Sequence, residues 1–311
     1  MRTRVTVLAG GVGGARFLRG LTRIIDPRRV TVIGNTGDDD ELFGLYVAPD
    51  LDTIVYTLAG RVDRERGWGV ARDTTACLGA LGELGGPTWF RLGDRDLATH
   101  MLRTAWLRSG RTLAEVTAHL ARRHGVGVRL LPMSNDPVRT FVHTGRGRLP
   151  FQSYLVRYRA RGTVRRIELD GARRARPAPG VLAALQSGQV LVIAPSNPLV
   201  SIAPIVAVPG VRAALARRRR RTAAISPLVG GRPVKGPLHR MLRGLGLEVS
   251  PRGVARCYQG LADLFVLDRT DAAWARRIEA LGMRVLVTDT LMRTPRHAAR
   301  LAKTVLDALP A

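Results

Sequence analysis

Short runs of aliphatic and β-branched residues recur along the chain, each followed by a polar or glycine-rich turn and then by apolar residues at helical spacing. Residues 4–9 form the first such run. Gly10-Gly11-Val12-Gly13-Gly14 reads as a flexible loop after it, and residues 15–25 read as a helix with Phe17, Leu18, Leu21 and Ile24 on one face. Residues 30–34 are the next strand. A strand, loop, helix and strand in this order make a βαβ unit, which predicts an α/β fold with a doubly wound, mostly parallel, Rossmann-like sheet. Pro49 cannot extend a strand, Asp50 is a good N-cap, and residues 51–58 follow as an apolar helix. Asp50 and Asp52 then lie at a helix mouth. Helices are expected over residues 73–84, 97–107 and 113–124, and a strand over 128–131.

The pattern then changes. Residues 138–144, 151–158 and 163–169 alternate as antiparallel strands do, which predicts a β-rich insert over 138–180 on a nucleotide-binding core. Residues 190–193 are wholly apolar, as in a buried parallel strand. Runs at 222–226, 264–267 and 284–287 complete the sheet, with helices at 272–281 and 295–309. With no repeat and no linker longer than a loop, residues 1–311 are expected to form a single domain.

Composition adds a charge of +26, from 50 Lys and Arg against 24 Asp and Glu, which favours anionic partners. Much of the excess is arginine at helix spacing, as solvated helix faces carry; only Arg217–Arg221 is a concentrated run. That distribution argues against a nucleic-acid footprint. Cys77 and Cys257 stand far apart with no metal-ligand spacing and are expected to be reduced core residues of a cytoplasmic protein. Arg2 and Arg4 lead into a strand and glycines without a cleavage site, and no apolar stretch reaches membrane-spanning length, so neither a leader nor a membrane anchor is expected.

Candidate chemistry sits in the turns. Gly11 and Gly13 allow close backbone approach to a phosphate or another polar ligand. The glycines do not make a dinucleotide fingerprint, since Arg16 stands where its third glycine belongs and the second strand ends in Gly34-Asn35 rather than an acid. No Gly-Lys-Ser/Thr P-loop ending and no Gly-x-Ser-x-Gly elbow occur, and the six histidines form no ligand pair. Asp38, Asp39, Asp40 and Glu41 follow Asn35-Thr36-Gly37, in the kind of loop where open α/β sheets bind ligands. Acids there can hold Mg²⁺ or simply make a polar turn. Asp50 and Asp52 are open to a similar plain reading, a cap beside a solvated neighbour.

Taken together, Gly10-Gly11-Val12-Gly13-Gly14, Asn35-Thr36-Gly37-Asp38-Asp39, Pro49-Asp50-Leu51-Asp52-Thr53, Arg91-Leu92-Gly93-Asp94-Arg95-Asp96, Pro132-Met133-Ser134-Asn135-Asp136-Pro137 and Pro195-Ser196-Asn197-Pro198 resemble the 2-phospho-L-lactate transferase family of coenzyme F420 biosynthesis. The resemblance implies a Mg²⁺-dependent enzyme. Such an enzyme moves a phosphorylated organic acid from a guanosine diphosphate-linked donor to the terminal hydroxyl of the deazaflavin Fo and releases GMP. By position it implies that Asp50 and Arg91 contact the deazaflavin, with Asp50 orienting the hydroxyl as base or through the metal. Asp39 and Asp52 are further metal candidates. It implies that Gly11, Gly13 and Asn35 bind substrate, that Ser134, Asn135 and Asp136 read the guanine or ribose, and that Ser196 and Asn197 line the donor pocket. Asp40-Glu41 departs from members that carry an apolar residue and Trp there; Phe43, Tyr46 and Trp68 are nearby aromatics. The resemblance leaves the acid of the donor open between lactyl, enolpyruvyl and glyceryl. A homodimer is one arrangement that apolar helices such as residues 116–120 allow. The competing reading is a non-catalytic nucleotide-binding regulator of the same fold.

Overall fold

The computed structural model describes residues 3–310, so Arg2 lies outside it. Seven strands, β1 (Val5–Ala9), β2 (Val30–Gly34), β3 (Arg129–Pro132), β4 (Val190–Ile193), β5 (Thr222–Ile225), β6 (Leu264–Asp268) and β7 (Arg284–Thr288), form one parallel sheet in the order β7-β6-β5-β4-β1-β2-β3. The chain winds from β1 out to β3, returns to place β4 against the other side of β1, and then continues to β7. The direction of winding therefore reverses between β1 and β4. Loops leaving those two strands diverge and open a crevice at their carboxyl ends.

The alternation within β1 explains the layers. Val5, Val7 and Ala9 pack on one face with Phe17 and Leu18 of the helix Gly11–Leu21, Leu51 and Ile54 of the helix Pro49–Leu58, and Leu301 and Val305 of the helix Pro295–Asp307. Leu8 packs on the other, with Val181, Val211 and Val254 from three shorter helices. The helices Gly11–Leu21 and Pro295–Asp307 approach so closely that a Cβ at Gly20 would lie 2.2 Å from the Ala298 carbonyl carbon. Val116 and Leu120 are buried in the chain's own core. No single helix among the described residues is long and apolar enough to cross a membrane.

Several elements differ from the sequence reading. The first helix begins at Gly11, not at residue 15. Its glycines serve contact more than flexibility, since a Cβ at Gly13 would lie 2.2 Å from the Pro195 carbonyl oxygen and one at Gly14 2.8 Å from Ser196 Oγ. Within residues 138–180, a three-stranded antiparallel sheet is made of Gly147–Pro150, Arg139–Thr144 and Arg166–Asp170. Residues 151–158 are not a strand. They hold a wide helical turn, Ser153–Arg157, which lets Phe151 and Tyr154 bury together at a helical spacing. The helix expected over 272–281 is a 3₁₀ turn, Arg269–Trp274, followed by Ala275–Glu279. Both cysteines are free thiols, as expected, but Cys77 is exposed rather than in the core, and Cys257 is half-buried against the edge of it.

Candidate active site

The crevice between β1 and β4 deepens into a cavity of about 700 Å³. Its floor is Gly10–Gly13 after β1, Pro195–Asn197 after β4 and Ser226–Pro227 after β5, and the first turn of the helix Pro49–Leu58 forms one wall. Ser196 straps the two central loops together, donating to the Gly10 carbonyl at 2.7 Å and accepting from the Gly10 amide at 3.2 Å. Asn197 Oδ1 accepts from the Leu199 amide at 2.9 Å and starts the next helical turn.

Asp50 is not the N-cap; Ala48 is, and Asp50 lies inside the first turn with Pro49 before it. Freed from capping, its carboxylate turns across the crevice. Oδ1 accepts from the Gly11 amide at 2.7 Å and Oδ2 from Asn35 Nδ2 at 2.8 Å. Both contacts depend on glycine. A Cβ at Gly10 would lie 2.3 Å from Asp50 Oδ2, and Gly11 holds φ at +64°, a conformation that aims its N–H at the acid.

Asn35 is the hinge of a carboxylate pair. Its Nδ2 also donates to Asp38 Oδ1 at 2.7 Å, and its Oδ1 accepts from the Gly37 amide at 2.8 Å. Asp38 and Asp50 are thus buried on either side of one amide group. Burial pushes the Asp50 carboxyl up to about 6, against the bonds from Asn35 and Gly11. Asp38 is held well above the ordinary carboxylate range by burial first and by the charge of Asp50 second. No basic side chain among the described residues pairs with either acid. Two close carboxylates in this situation resist ionising together.

Asp52 points elsewhere. It is clamped by both terminal nitrogens of the buried Arg103, with Nη1 3.0 Å from Oδ2. Asp96 and His100 complete this cluster, with His100 Nδ1 3.7 Å from Asp52 and Nε2 3.3 Å from Asp96. Tyr56 donates its hydroxyl to Asp96 at 2.8 Å. Burial would lower the Arg103 guanidinium, but the charge and hydrogen bonds of Asp52 outweigh it and raise it. His100 and Arg103 were not singled out from the sequence, and Asp96 entered only as the last residue of the Arg91–Asp96 motif, with no role given to it. Their signal was there: they recur at steps of four and three on one face of the helix Asp94–Arg108, a polar stripe that is the buried side.

The metal candidates Asp39, Asp50 and Asp52 do not converge. Asp39 is buried outside the cavity lining, accepts the Tyr46 hydroxyl at 2.8 Å and is raised by its burial. Asp52 is already neutralised by Arg103. Asp50 meets Asp38 instead, a pair of hard oxygen donors with no cation beside it, which is the chemistry Mg²⁺ takes. The residues present fit that ion at Asp38 and Asp50 better than at the Asp52, Asp96 and His100 cluster, where a guanidinium and an imidazole stand close.

Arg91 lies on the exposed rim of the cavity, and Arg16, Arg66 and Lys235 add positive charge around it. The Lys235 ammonium is lowered by burial and by Arg16. Trp68 and Phe90 contribute aromatic surface. Phe43, by contrast, sits at an exposed hairpin tip, and Tyr46 is held by Asp39. Ser134, Asn135 and Asp136 follow the edge strand β3 and lie outside the lining. Their polar groups hold the scaffold: Ser134 donates to the Arg176 carbonyl at 2.7 Å, Asn135 accepts from the Ala114 amide at 2.9 Å, and Asp136 accepts from the Arg176 amide at 2.7 Å. Two strands separate them from the crevice, so an edge-strand loop meets the connector before it meets the site.

Comparison with known proteins identifies the family and the fold. The family model described as 2-phospho-L-lactate transferase CofD matches residues 5–302. A phosphoenolpyruvate transferase of Streptomyces griseus is 46% identical, with 98% of each chain aligned. A 2-phospho-L-lactate transferase of Methanosarcina mazei is 37% identical over 97% of this chain and 99% of its own. Among solved structures, a UPF0052 family protein of Bacillus halodurans shares the fold with a TM-score of 0.66 at 17% identity, covering 98% of this chain and 99% of that one. The match spans the sheet and every loop that shapes the crevice, and the chain belongs to the 2-phospho-L-lactate transferase family of enzymes.

Proposed function

We propose that the protein transfers a phosphoenolpyruvyl or 2-phospholactyl group from a guanosine diphosphate-linked donor to the terminal hydroxyl of Fo, releasing GMP, in the biosynthesis of coenzyme F420. The observation that carries this reading is Asp50, a buried acid raised to about 6 at the point where the sheet reverses, facing a cavity large enough for two substrates. Relatives at 43–46% identity are all named phosphoenolpyruvate transferases, and at 37–39% both that name and 2-phospho-L-lactate transferase occur, which favours the enolpyruvyl donor.

In the mechanism, the Fo hydroxyl is hydrogen-bonded by Asp50 and attacks the phosphorus nearer the organic acid. The new phosphodiester forms as the bond to GMP breaks, and the hydroxyl proton passes to Asp50. A carboxyl near 6 is ionised at neutral pH yet basic enough to accept that proton. Asp38 and Asp50 would hold Mg²⁺, which supplies positive charge to the transferring phosphate when bound. The first-turn amides beyond Gly11, with Arg16 and Lys235, meet the charge left on GMP. Arg91, Phe90 and Trp68 offer the rim and wall against which a flat deazaflavin lies. A carboxylate poised to accept a proton beside the transferring phosphate favours an enzyme over a nucleotide-binding regulator.

Turnover with Fo and each guanylylated acid, read by mass spectrometry, tests this. The enolpyruvyl product is lighter than the lactyl product by H₂. Asp50→Asn should lower kcat by about 10²- to 10⁴-fold, the range for loss of a general base, while GDP still binds. Undiminished turnover in that variant, or no product from either donor, would sink the reading.

A further inference from the structure

A second cavity, of about 310 Å³, opens among the helices Gly11–Leu21, Pro49–Leu58 and Pro295–Asp307. It shares only Arg16 and Met292 with the lining of the crevice. Its charged lining is entirely arginine: Arg16, Arg19, Arg64 and Arg293, with no carboxylate. Arg16 and Arg19 stand three residues apart and so share one face of their helix. Arg64 comes from the loop after Pro49–Leu58, and Arg293 from the segment before Pro295–Asp307. Among the described residues, none of these four guanidinium groups donates a hydrogen bond or pairs with an acid. Elsewhere in the molecule arginines find partners, Arg148 and Arg166 at Glu168, Arg284 at Asp263 and Arg300 at Asp289. The Arg19 guanidinium is held below its ordinary range by burial first, and then by Arg64 and Arg23. A solvated helix face lets such charges spread apart, whereas a cavity wall holds them together.

The wall is built rather than incidental. Asp63 accepts from the Glu65 and Arg66 amides at 3.0 Å and fixes the turn that carries Arg64. Val62 bridges to Val70 across the base of the same loop. Gly67, with φ at +77°, seats the loop on the first helix, where a Cβ would lie 2.7 Å from Val12 Cγ1. On the opposite side Thr294 accepts from the His297 amide at 3.3 Å and starts the helix Pro295–Asp307, whose positive end then faces the cavity.

Four gathered guanidinium groups suit a compact anion of high charge, and phosphate oxygens match the paired N–H groups of arginine. We infer that this cavity binds a small polyphosphate anion, of the class of inorganic pyrophosphate, at a site separate from the crevice. Arg16 belongs to both cavities. An anion held here draws on a charge that the crevice offers to its own phosphorylated ligand, so occupancy of either site weakens the other, and by the same factor. That coupling rests on the donor reading given above; the site itself does not.

Calorimetric titration of the full chain with inorganic pyrophosphate tests this, without Mg²⁺ so that the probe is not chelated, and at about 0.15 M salt, where diffuse attraction is partly screened. The wild type should bind one pyrophosphate. Arg19→Gln and Arg64→Gln, neither of which lines the crevice, should each weaken that binding at least about 10-fold and leave the affinity for GDP alone unchanged. Saturating GDP should weaken pyrophosphate binding by a factor that levels off at roughly 5-fold or more, as coupled sites do. No pyrophosphate binding, binding that neither substitution alters, or binding that GDP displaces without limit would overturn the site. Pyrophosphate binding that depends on Arg19 and Arg64 in a protein with no affinity for GDP would uphold the site and count against the donor reading instead.

Discussion

Asp50 carries a charge that its surroundings resist, and this makes its role measurable without substrate. Its folded pKa of about 6 lies above the ordinary carboxyl value of 3.8. In that interval the folded state binds more protons than the unfolded one, so stability contributed by the protonated acid is complete below about pH 4. It is lost as pH rises through about 6. Asp38, raised in the same direction, adds to the slope. Thermal melts of the wild type should therefore fall between pH 4 and pH 7 more steeply than those of Asp50→Asn; parallel curves would contradict the raised pKa. Mg²⁺ held by Asp38 and Asp50 would favour their ionised forms, so the rising limb of kcat/KM should lie below about pH 6 and shift further down as Mg²⁺ is raised. The sequence placed Asp50 at a helix start but made it a cap. A cap and a carboxylate one step into the helix look alike on paper, and only the positions of Gly10 and Gly11 decide between them.

At the scale of elements, the crevice is built by close contact between the first turn of Gly11–Leu21 and the loop after β4. Gly13→Ala should force these apart, because its Cβ has the Pro195 carbonyl oxygen at 2.2 Å and that oxygen belongs to backbone that cannot rotate away. A loss of about 1–3 kcal/mol, the usual cost of overpacking, should appear in denaturant unfolding. An unchanged midpoint would mean that the two loops separate freely. Strands of the central sheet were legible because buried parallel strands are unbroken aliphatic runs. Residues 151–158 were not, since Tyr154, Val156 and Tyr158 fit an alternating pattern while Phe151, Tyr154 and Leu155 fit a helical one over the same short stretch. The start of the first helix was hidden by its glycines, which local propensity assigns to loops; packing against Pro195 and Ser196 overrides that preference.

For the whole molecule, net charge governs encounter with an anionic donor more than it governs the fold. Raising salt from about 0.05 to 0.5 M shortens the screening length several-fold, so KM for the guanylylated donor should rise while KM for uncharged Fo stays nearly constant. Steady-state kinetics at the two ionic strengths decide this, and equal effects on both substrates would remove the steering role from Arg16, Arg66 and Lys235. By itself the sequence determined the α/β class, the strands of the sheet, the family and the set of motifs that carry Gly11, Gly13, Asn35, Asp50, Arg91, Ser196 and Asn197. These follow from local periodicity and from motif order, which are properties of the chain read along its length. Tertiary structure alone decided which acids meet. It paired Asp50 with Asp38 through Asn35, bound Asp52 to Arg103, and left Asp136 on the edge-strand connector. Strand order sets those distances, and strand order is fixed by how helices pack on the two faces of the sheet, which spacing along the chain does not contain.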